Sequence, residues 1–417
     1  MKAYIDKDVL TAAQERIAYT FDHFGRVYVS FSAGKDSTVM LHLVAEEARK
    51  RGVRIGVLLV DLEGQYKLTI DHAKEMIDEY SDVIDLYWVC LPIALRNAVS
   101  VYEPKWICWE PGKDWIRQPP KEAITDESFF PFFRRGMEFE EFVPEFGRWY
   151  SGGELTACFV GIRADESLNR YRTIKNHKKT THQSKMWTTK IWNMNVYNVY
   201  PIYDWRTADI WRYNGQFGKR YNHLYDLMHK AGLSIHQQRI CQPYGDDQRR
   251  GLWLFHVIEP ETWSKIVARV NGANSGAEFV QYSGNGSGQV KITKPDGHTW
   301  ESFSELLLNS MPKDMAEHYR AKIHVFLRWY EERGYPTGIP DEANPADEAK
   351  RKAPSWRRIA KMLLRNDYWA KGLSFSQTKD GFYYKKYMDR VKKDREQRKT
   401  KNLMKNGRGY ETYYRNS

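Results

Sequence analysis

Apolar residues in the first 60 positions switch between two periods. Val9–Phe24 repeats at helical spacing, and Arg26–Phe31 (Arg-Val-Tyr-Val-Ser-Phe) is a short β-branched and aromatic run suited to a buried strand. Thr38–Arg51 returns to helical spacing, with Val39, Leu41, Leu43 and Val44 among helix formers. Gly52 follows Arg49-Lys50-Arg51, the pattern of a glycine stop behind cations that favour the negative end of a helix. Ile55–Val60 is a second apolar strand ending in Asp61. Strand, helix and strand make one βαβ unit, which implies parallel strands and a right-handed crossover.

The same reading predicts a helix over Lys67–Tyr80, a strand over Val83–Cys90, and a long Trp-, Pro- and charge-rich excursion over about 92–150. Strands resume at Thr156–Val160 and Val196–Ile202, and a further helix begins within Asp204–Trp211. Past about residue 235 the βα rhythm is lost. Residues 271–288, rich in Gly, Asn and Ser, read as a mobile loop, and Tyr335–Pro354, with four prolines and clustered acids, as a linker or surface strap. The expected division is 1–235, a nucleotide-binding domain; 236–340, an accessory region; and 341–417, a basic helical region.

Composition narrows the class. A chain of 417 residues, 41% hydrophobic and 14% aromatic, can bury two or three cores and is not globally disordered. The N-terminus lacks an apolar signal region, and no run approaches the roughly 20 apolar residues of a membrane helix. A cytoplasmic location is expected. The net charge of +12 is confined: residues 351–417 hold 20 Lys+Arg against 6 Asp+Glu, and the rest of the chain is slightly acidic. Cys90, Cys108, Cys158 and Cys241 form no CxxC pair, so buried thiols are expected rather than a zinc or iron–sulfur site.

Candidate chemistry lies between the first strand and its helix. In Ser32-Ala-Gly-Lys-Asp-Ser37, small residues let the backbone turn tightly, so successive amides can face one anion at a helix N-terminus. Ser32 and Ser37 add hydroxyl donors and Lys35 a compact charge. A ligand-free βα turn can have the same composition. It is not a Walker A loop, because Val29 stands five before Gly34 and Asp36 follows Lys35 where Ser or Thr is needed.

This turn resembles the SGGxDS loop of PP-loop ATP pyrophosphatases, with Ala33 in place of the first glycine. More narrowly, it is similar to the phosphoadenosine-phosphosulfate reductase and ATP-sulfurylase small-subunit superfamily. Three more segments match in order: Val60-Asp-Leu-Glu-Gly-Gln-Tyr66, Gly161-Ile-Arg-Ala-Asp-Glu-Ser-Leu-Asn-Arg170, and Pro201-Ile-Tyr-Asp-Trp-Arg-Thr-Ala-Asp-Ile-Trp211. The resemblance implies a HUP-type α/β fold, a parallel sheet flanked by helices, that binds ATP or an APS- or PAPS-like nucleotide, with Mg²⁺. It implies that Ser32, Ala33, Gly34, Lys35, Asp36 and Ser37 hold the departing pyrophosphate. Asp61 and Glu63 would lie near the ribose or Mg²⁺, with Asp36 a third candidate metal ligand. Gly161 and Arg163 would flank the ribose and α-phosphate, and Asp165, Glu166 and Arg170 would close the site. Catalysis would rest on Lys35, Asp36, Arg163, Asp165 and Arg170, while Trp205 and Trp211 suit core packing.

The pattern breaks at one point. Sulfonucleotide reductases of the superfamily use a cysteine near the C-terminus, and here the 176 residues after Cys241 contain none. Sulfate reduction is therefore not expected. Arg239–Trp253, Ser355–Ile359 and Asn366–Thr378 resemble the YbdN/IbrA group, which carries a domain of unknown function and for which a ParB-like or sulfiredoxin-like protein partner is implied. The C-terminal stretch interleaves Lys/Arg with Tyr over Tyr383–Lys405, which suits RNA or DNA as well as a solvated helix. Three functions follow: an ATP pyrophosphatase that adenylates an acceptor, a nucleic-acid-modifying enzyme docked through residues 351–417, or a nucleotide-binding regulator without turnover.

Overall fold

The computed structural model describes residues 6–100, 102–176, 179–240, 244–245, 251–273, 293–332 and 334–373. The chain divides into two compact units, residues 1–282 and 283–417. The predicted loop over 271–288 and the basic segment Tyr383–Lys405 fall mainly or wholly outside the described residues.

The first unit alternates as the sequence predicts. Helix α1 (Val9–His23) leads to β1 (Arg26–Ser30), α2 (Lys35–Arg51), β2 (Ile55–Val60), α3 (Lys67–Glu79) and β3 (Ile84–Val89). Gly52 ends α2 in the left-handed conformation, φ 64°, and its amide bonds back to Arg49. The excursion contains a short antiparallel pair, β4 (Ala94–Arg96) with β5 (Lys105–Ile107), and then α4 (Phe139–Ser151). Next come β6 (Thr156–Val160), α5 (Leu168–Lys175), β7 (Thr188–Lys190), β8 (Val196–Val199), α6 (Thr207–Gln216) and α7 (Leu224–Lys230). The main sheet runs β3-β2-β1-β6-β8-β7, all pairs parallel except the edge strand β7. This is the expected α/β architecture. Strand β8 stops three residues short of the expected Ile202, because Tyr200–Asp204 turns toward α6.

The core explains the pattern. Val27, Tyr28, Val29, Val57, Leu58, Leu59, Ala157 and Phe159 are buried on the central strands, as a sheet covered on both faces requires. Trp205 is buried with its indole N–H on the Val9 carbonyl, at 3.0 Å. Past residue 235 the described regular elements of this unit are helices α8 (Trp253–Ile258) and α9 (Pro260–Arg269). Leu254, Phe255, Trp263 and Ile266 join the same core.

The second unit is helical: α10 (Trp300–Asn309), α11 (Lys313–Glu331), α12 (Pro345–Ala349) and α13 (Trp356–Leu364). Tyr319, Ile323, Phe326, Ile359 and Leu363 form its core. The expected strap over 335–354 is pinned here. Glu348 is buried and accepts from Ser355 Oγ at 2.5 Å and Arg357 Nε at 3.0 Å, and it sits in α12.

Candidate functional site

Strand β1 has β2 on one side and β6 on the other, so the chain reverses direction across the sheet at their carboxyl ends. Crevices at such switch points are where open α/β sheets bind ligands. Two turns meet there, Ser32–Ser37 after β1 and Gly161–Glu166 after β6. Gly161 lies directly on the first turn of α2. A Cβ at this position would stand 3.0 Å from the Asp36 carbonyl carbon and the Ser37 nitrogen, so any side chain would force the two turns apart.

The first turn is held open by its own hydroxyls. Ser37 Oγ accepts from the Ser32 amide at 3.2 Å, donates to the Gly34 carbonyl at 3.1 Å, and lies 3.0 Å from Ser32 Oγ. Ala33 sits at φ 55°, the left-handed conformation that glycine adopts more cheaply. The Thr38 amide bonds the Gly34 carbonyl in ordinary helical fashion, and the Lys35 amide donates to the Tyr225 hydroxyl at 3.0 Å. Among the described residues no acceptor takes the amides of Ala33, Gly34, Asp36 or Ser37. Four donors at the positive end of a 17-residue helix stay uncommitted.

Charged side chains line the same corner. Arg163 is 2% exposed, its Nε donates to Asp36 Oδ1 at 2.6 Å, and its Nη1 lies 3.3 Å from Thr207 Oγ1 at the start of α6. Nη2 takes no acceptor among the described residues. Lys35 Nζ stands 3.5 Å from Asp36 Oδ2 and 3.3 Å from the Gln238 carbonyl, over the Tyr225 ring at 5.3 Å. The lysine cation is therefore already engaged inside the protein. Asn222 Nδ2 donates to the Ala33 carbonyl and to Thr69 Oγ1, both at 3.1 Å. Tyr225, Asn222, Thr207 and Gln238 escaped the sequence reading. Only Thr207 lay inside a matching segment; the others come from 189 or more residues along the chain, with no local signal.

The structure does not join the remaining expected residues to this cluster. Asp165 is exposed. Glu166 pairs with the half-exposed Arg170 at 3.7 Å, and its carbonyl accepts from Arg239. Asp61 and Glu63 are fully buried, and their oxygens are spent on protein donors. Asp61 Oδ1 accepts from the Glu63 amide and Arg117, and Oδ2 from the Trp88 indole at 2.9 Å. Glu63 Oε1 accepts from the Ile116 amide and Arg269 Nε, both at 3.1 Å, and Oε2 from the Trp109 amide at 2.6 Å. A magnesium ion needs oxygens with free lone pairs turned toward it. Asp61 and Glu63 each already accept three protein donors, so a magnesium ion at either would compete with those bonds, while Asp36 keeps Oδ2 at 3.5 Å from Lys35 Nζ.

The described thiols are poor nucleophiles. Burial pushes Cys158 up to about 12, and raises Cys90 and Cys108 beyond it, so all three stay protonated near neutral pH. Cys241 lies outside the described residues.

The phosphoadenosine phosphosulfate reductase domain covers residues 26–231, and a domain of unknown function, DUF3440, covers residues 232–343. The uncharacterized protein YbdN of Escherichia coli (strain K12) is 46% identical over 392 residues, 94% of this chain and 96% of its own length. The uncharacterized protein MJ0973 of Methanocaldococcus jannaschii is 24% identical, over 56% of this chain and 53% of its own. Among solved structures, the phosphoadenylyl-sulfate reductase of Candida auris in a phosphate complex is 13% identical with a TM-score of 0.31, over 54% of this chain and 94% of that one. The U34-tRNA thiolase NcsA of Methanococcus maripaludis, with its [4Fe-4S] cluster, is 13% identical with a TM-score of 0.30, over 70% of this chain and 88% of its own.

Proposed function

The chain belongs to the phosphoadenosine phosphosulfate reductase domain family, as a member with DUF3440 behind that domain, and on that premise we propose that it binds ATP at the Ser32–Ser37 turn and splits it between the α- and β-phosphates. The observation that carries this reading is the set of four uncommitted amides, Ala33, Gly34, Asp36 and Ser37, beside the open edge of Arg163.

In the proposed reaction an acceptor oxygen or nitrogen attacks the α-phosphorus. The bond from that phosphorus to the bridging oxygen breaks, and pyrophosphate leaves with the electron pair. The turn amides and the Ser32 hydroxyl stabilise charge that accumulates on pyrophosphate, while the Ser37 hydroxyl, bonded to the Gly34 carbonyl, keeps the turn in shape, so little reorganisation is needed. Arg163 is held by Asp36, which leaves Nη2 to grip an α-phosphate oxygen. Gly161 permits the close approach of both turns. Asp165, Glu166 and Arg170 are proposed to reach the nucleotide only when their exposed loop moves inward. Reduction of a sulfonucleotide is not proposed, since the described thiols are buried and protonated.

The test is the product pair. Incubation with ATP is expected to give AMP-containing product and pyrophosphate, with turnover falling about 100-fold or more in Arg163→Ala. Release of ADP and phosphate, or an unchanged rate in Arg163→Ala, rejects the reading.

A further inference from the structure

Four residues beyond Arg163 the chain enters a stretch of unusual charge. Residues 167–203 contain seven Lys/Arg and no Asp or Glu over 37 positions. Outside this stretch and residues 351–417, the chain holds 38 Lys+Arg against 47 Asp+Glu, so the cations are concentrated rather than spread. The stretch is also well placed. Ile174 packs with Ile162 and Tyr200, which seats the apolar side of α5 at the end of β6, beside the proposed nucleotide turn. Leu168, Arg170, Tyr171, Arg172 and Lys175 remain exposed.

The chain then returns to the same surface. The Lys190 amide bonds the Thr180 carbonyl at 2.8 Å, and Lys179 Nζ donates to the Met186 carbonyl at 2.5 Å, which ties the exit of α5 to edge strand β7. Met186 and Trp192 are exposed beside that strand. No carboxylate lies within ion-pair distance of Arg172, Lys175, Lys185 or Lys190 among the described residues. Lysine on an edge strand guards against unwanted strand pairing, and that accounts for Lys190 alone. It leaves the exposed aromatic and aliphatic side chains of α5 unexplained. A polyanion whose monomers carry flat apolar faces meets both features, since cations neutralise its phosphates while rings stack on unpaired bases.

We infer that the surface formed by α5 and residues 179–192 docks a single-stranded nucleic acid, and that this strand carries the acceptor for the adenylate. The inference rests on the nucleotide reading for the acceptor role, but not for the docking. A strand lying along α5 runs toward Arg163 and the α-phosphorus it would hold, so the phosphate contacts position and the nucleotide site acts.

The experiment uses the full chain with 5′-labelled oligo(U) and oligo(dT) of about 20 nucleotides, longer than a small domain's single-strand site. Anisotropy is read at several salt concentrations, with a duplex of equal length as competitor. Arg172→Glu/Lys175→Glu is expected to weaken binding at least tenfold and to flatten the salt slope by about 1.4, two phosphate contacts' worth. Tyr171→Ala is expected to cost at least fivefold for the single strand and little for the duplex, while ATP affinity stays unchanged in both variants. Tighter binding of either polymer supports docking and names the natural one. Wild-type strand affinity in the charge-reversed variant, or equal affinity for duplex or for anionic vesicles, overturns it. If strand binding is lost in that variant while wild-type protein binds no ATP, docking stands and the nucleotide reading falls. If ATP turnover proceeds and the variant binds strands normally, docking falls and the nucleotide reading stands.

Discussion

Two corners of this protein stand side by side at the carboxyl ends of neighbouring strands, and they treat charge in opposite ways. After β1, the Ser32–Ser37 turn leaves four amides uncommitted. After β2, the Asp61–Glu63 corner has every carboxylate oxygen occupied by a protein donor. The second is fully buried and the first is buried except at Ser32 and partly at Asp36, and each contains a non-glycine residue in the left-handed region, Ala33 at φ 55° and Glu63 at φ 63°. Strained backbone next to a strand end is thus common to both. What separates them is the sum of donors and acceptors. The first corner has donors to spare and suits an anion; the second is balanced and acts as a strut that fastens residues 109–117 of the excursion and Arg269 to the sheet.

The sharpest way to break this contrast is to remove the strut. Glu63→Ala strands Arg269 without its buried partner, and the loss of such a pair costs about 3–5 kcal/mol. Urea unfolding is expected to show that loss, whereas Ser37→Ala at the open corner is expected to lose about 1 kcal/mol and most of its nucleotide affinity. Equal destabilisation by the two variants would erase the distinction.

Acid titration probes the floor beneath the open turn. His72 bonds Thr38 of α2 at 3.0 Å, and burial holds its ring down at about 4, against 6.5 for a free imidazole. Because the unfolded chain takes up the proton first, the stability contributed by the neutral ring is complete above pH 6.5. It is lost as the pH falls toward 4, by on the order of 3 kcal/mol. His72→Gln is expected to flatten unfolding free energy across that window, and a slope equal to wild type contradicts the assignment.

How much of this was legible beforehand differs between the corners for a physical reason. The βαβ unit, the glycine stop at Gly52 and the turn itself are local consequences of period, small residues and helix polarity, and they could be read from about 30 consecutive residues. The fate of Asp61 and Glu63 could not. Their donors Trp88, Trp109, Arg117 and Arg269 arrive from 27 to 206 residues away, and only folding reveals that every carboxylate oxygen already accepts a protein donor. Tyr225, which takes the Lys35 amide from 190 residues away, is hidden for the same reason.

Smaller effects sharpen the comparison further. Ala33→Gly relieves a left-handed alanine and is expected to stabilise the fold by up to about 1 kcal/mol, read as a rise in melting temperature. Glu63→Gly relieves the same backbone conformation and is nonetheless expected to destabilise, because it removes the acceptor of three protein donors. A stabilising Glu63→Gly would show that φ, rather than the donor balance, governs both corners.

The most direct measurement is a crystal structure of the protein with an ATP analogue that cannot be cleaved between the α- and β-phosphates. The account predicts β- and γ-phosphate oxygens within hydrogen-bonding distance of the Gly34, Asp36 and Ser37 amides, with Arg163 Nη2 on the α-phosphate and the Asp61–Glu63 contacts unchanged. An analogue bound elsewhere, or phosphates seated on Asp61 and Glu63 through a metal while the turn stays empty, would contradict it.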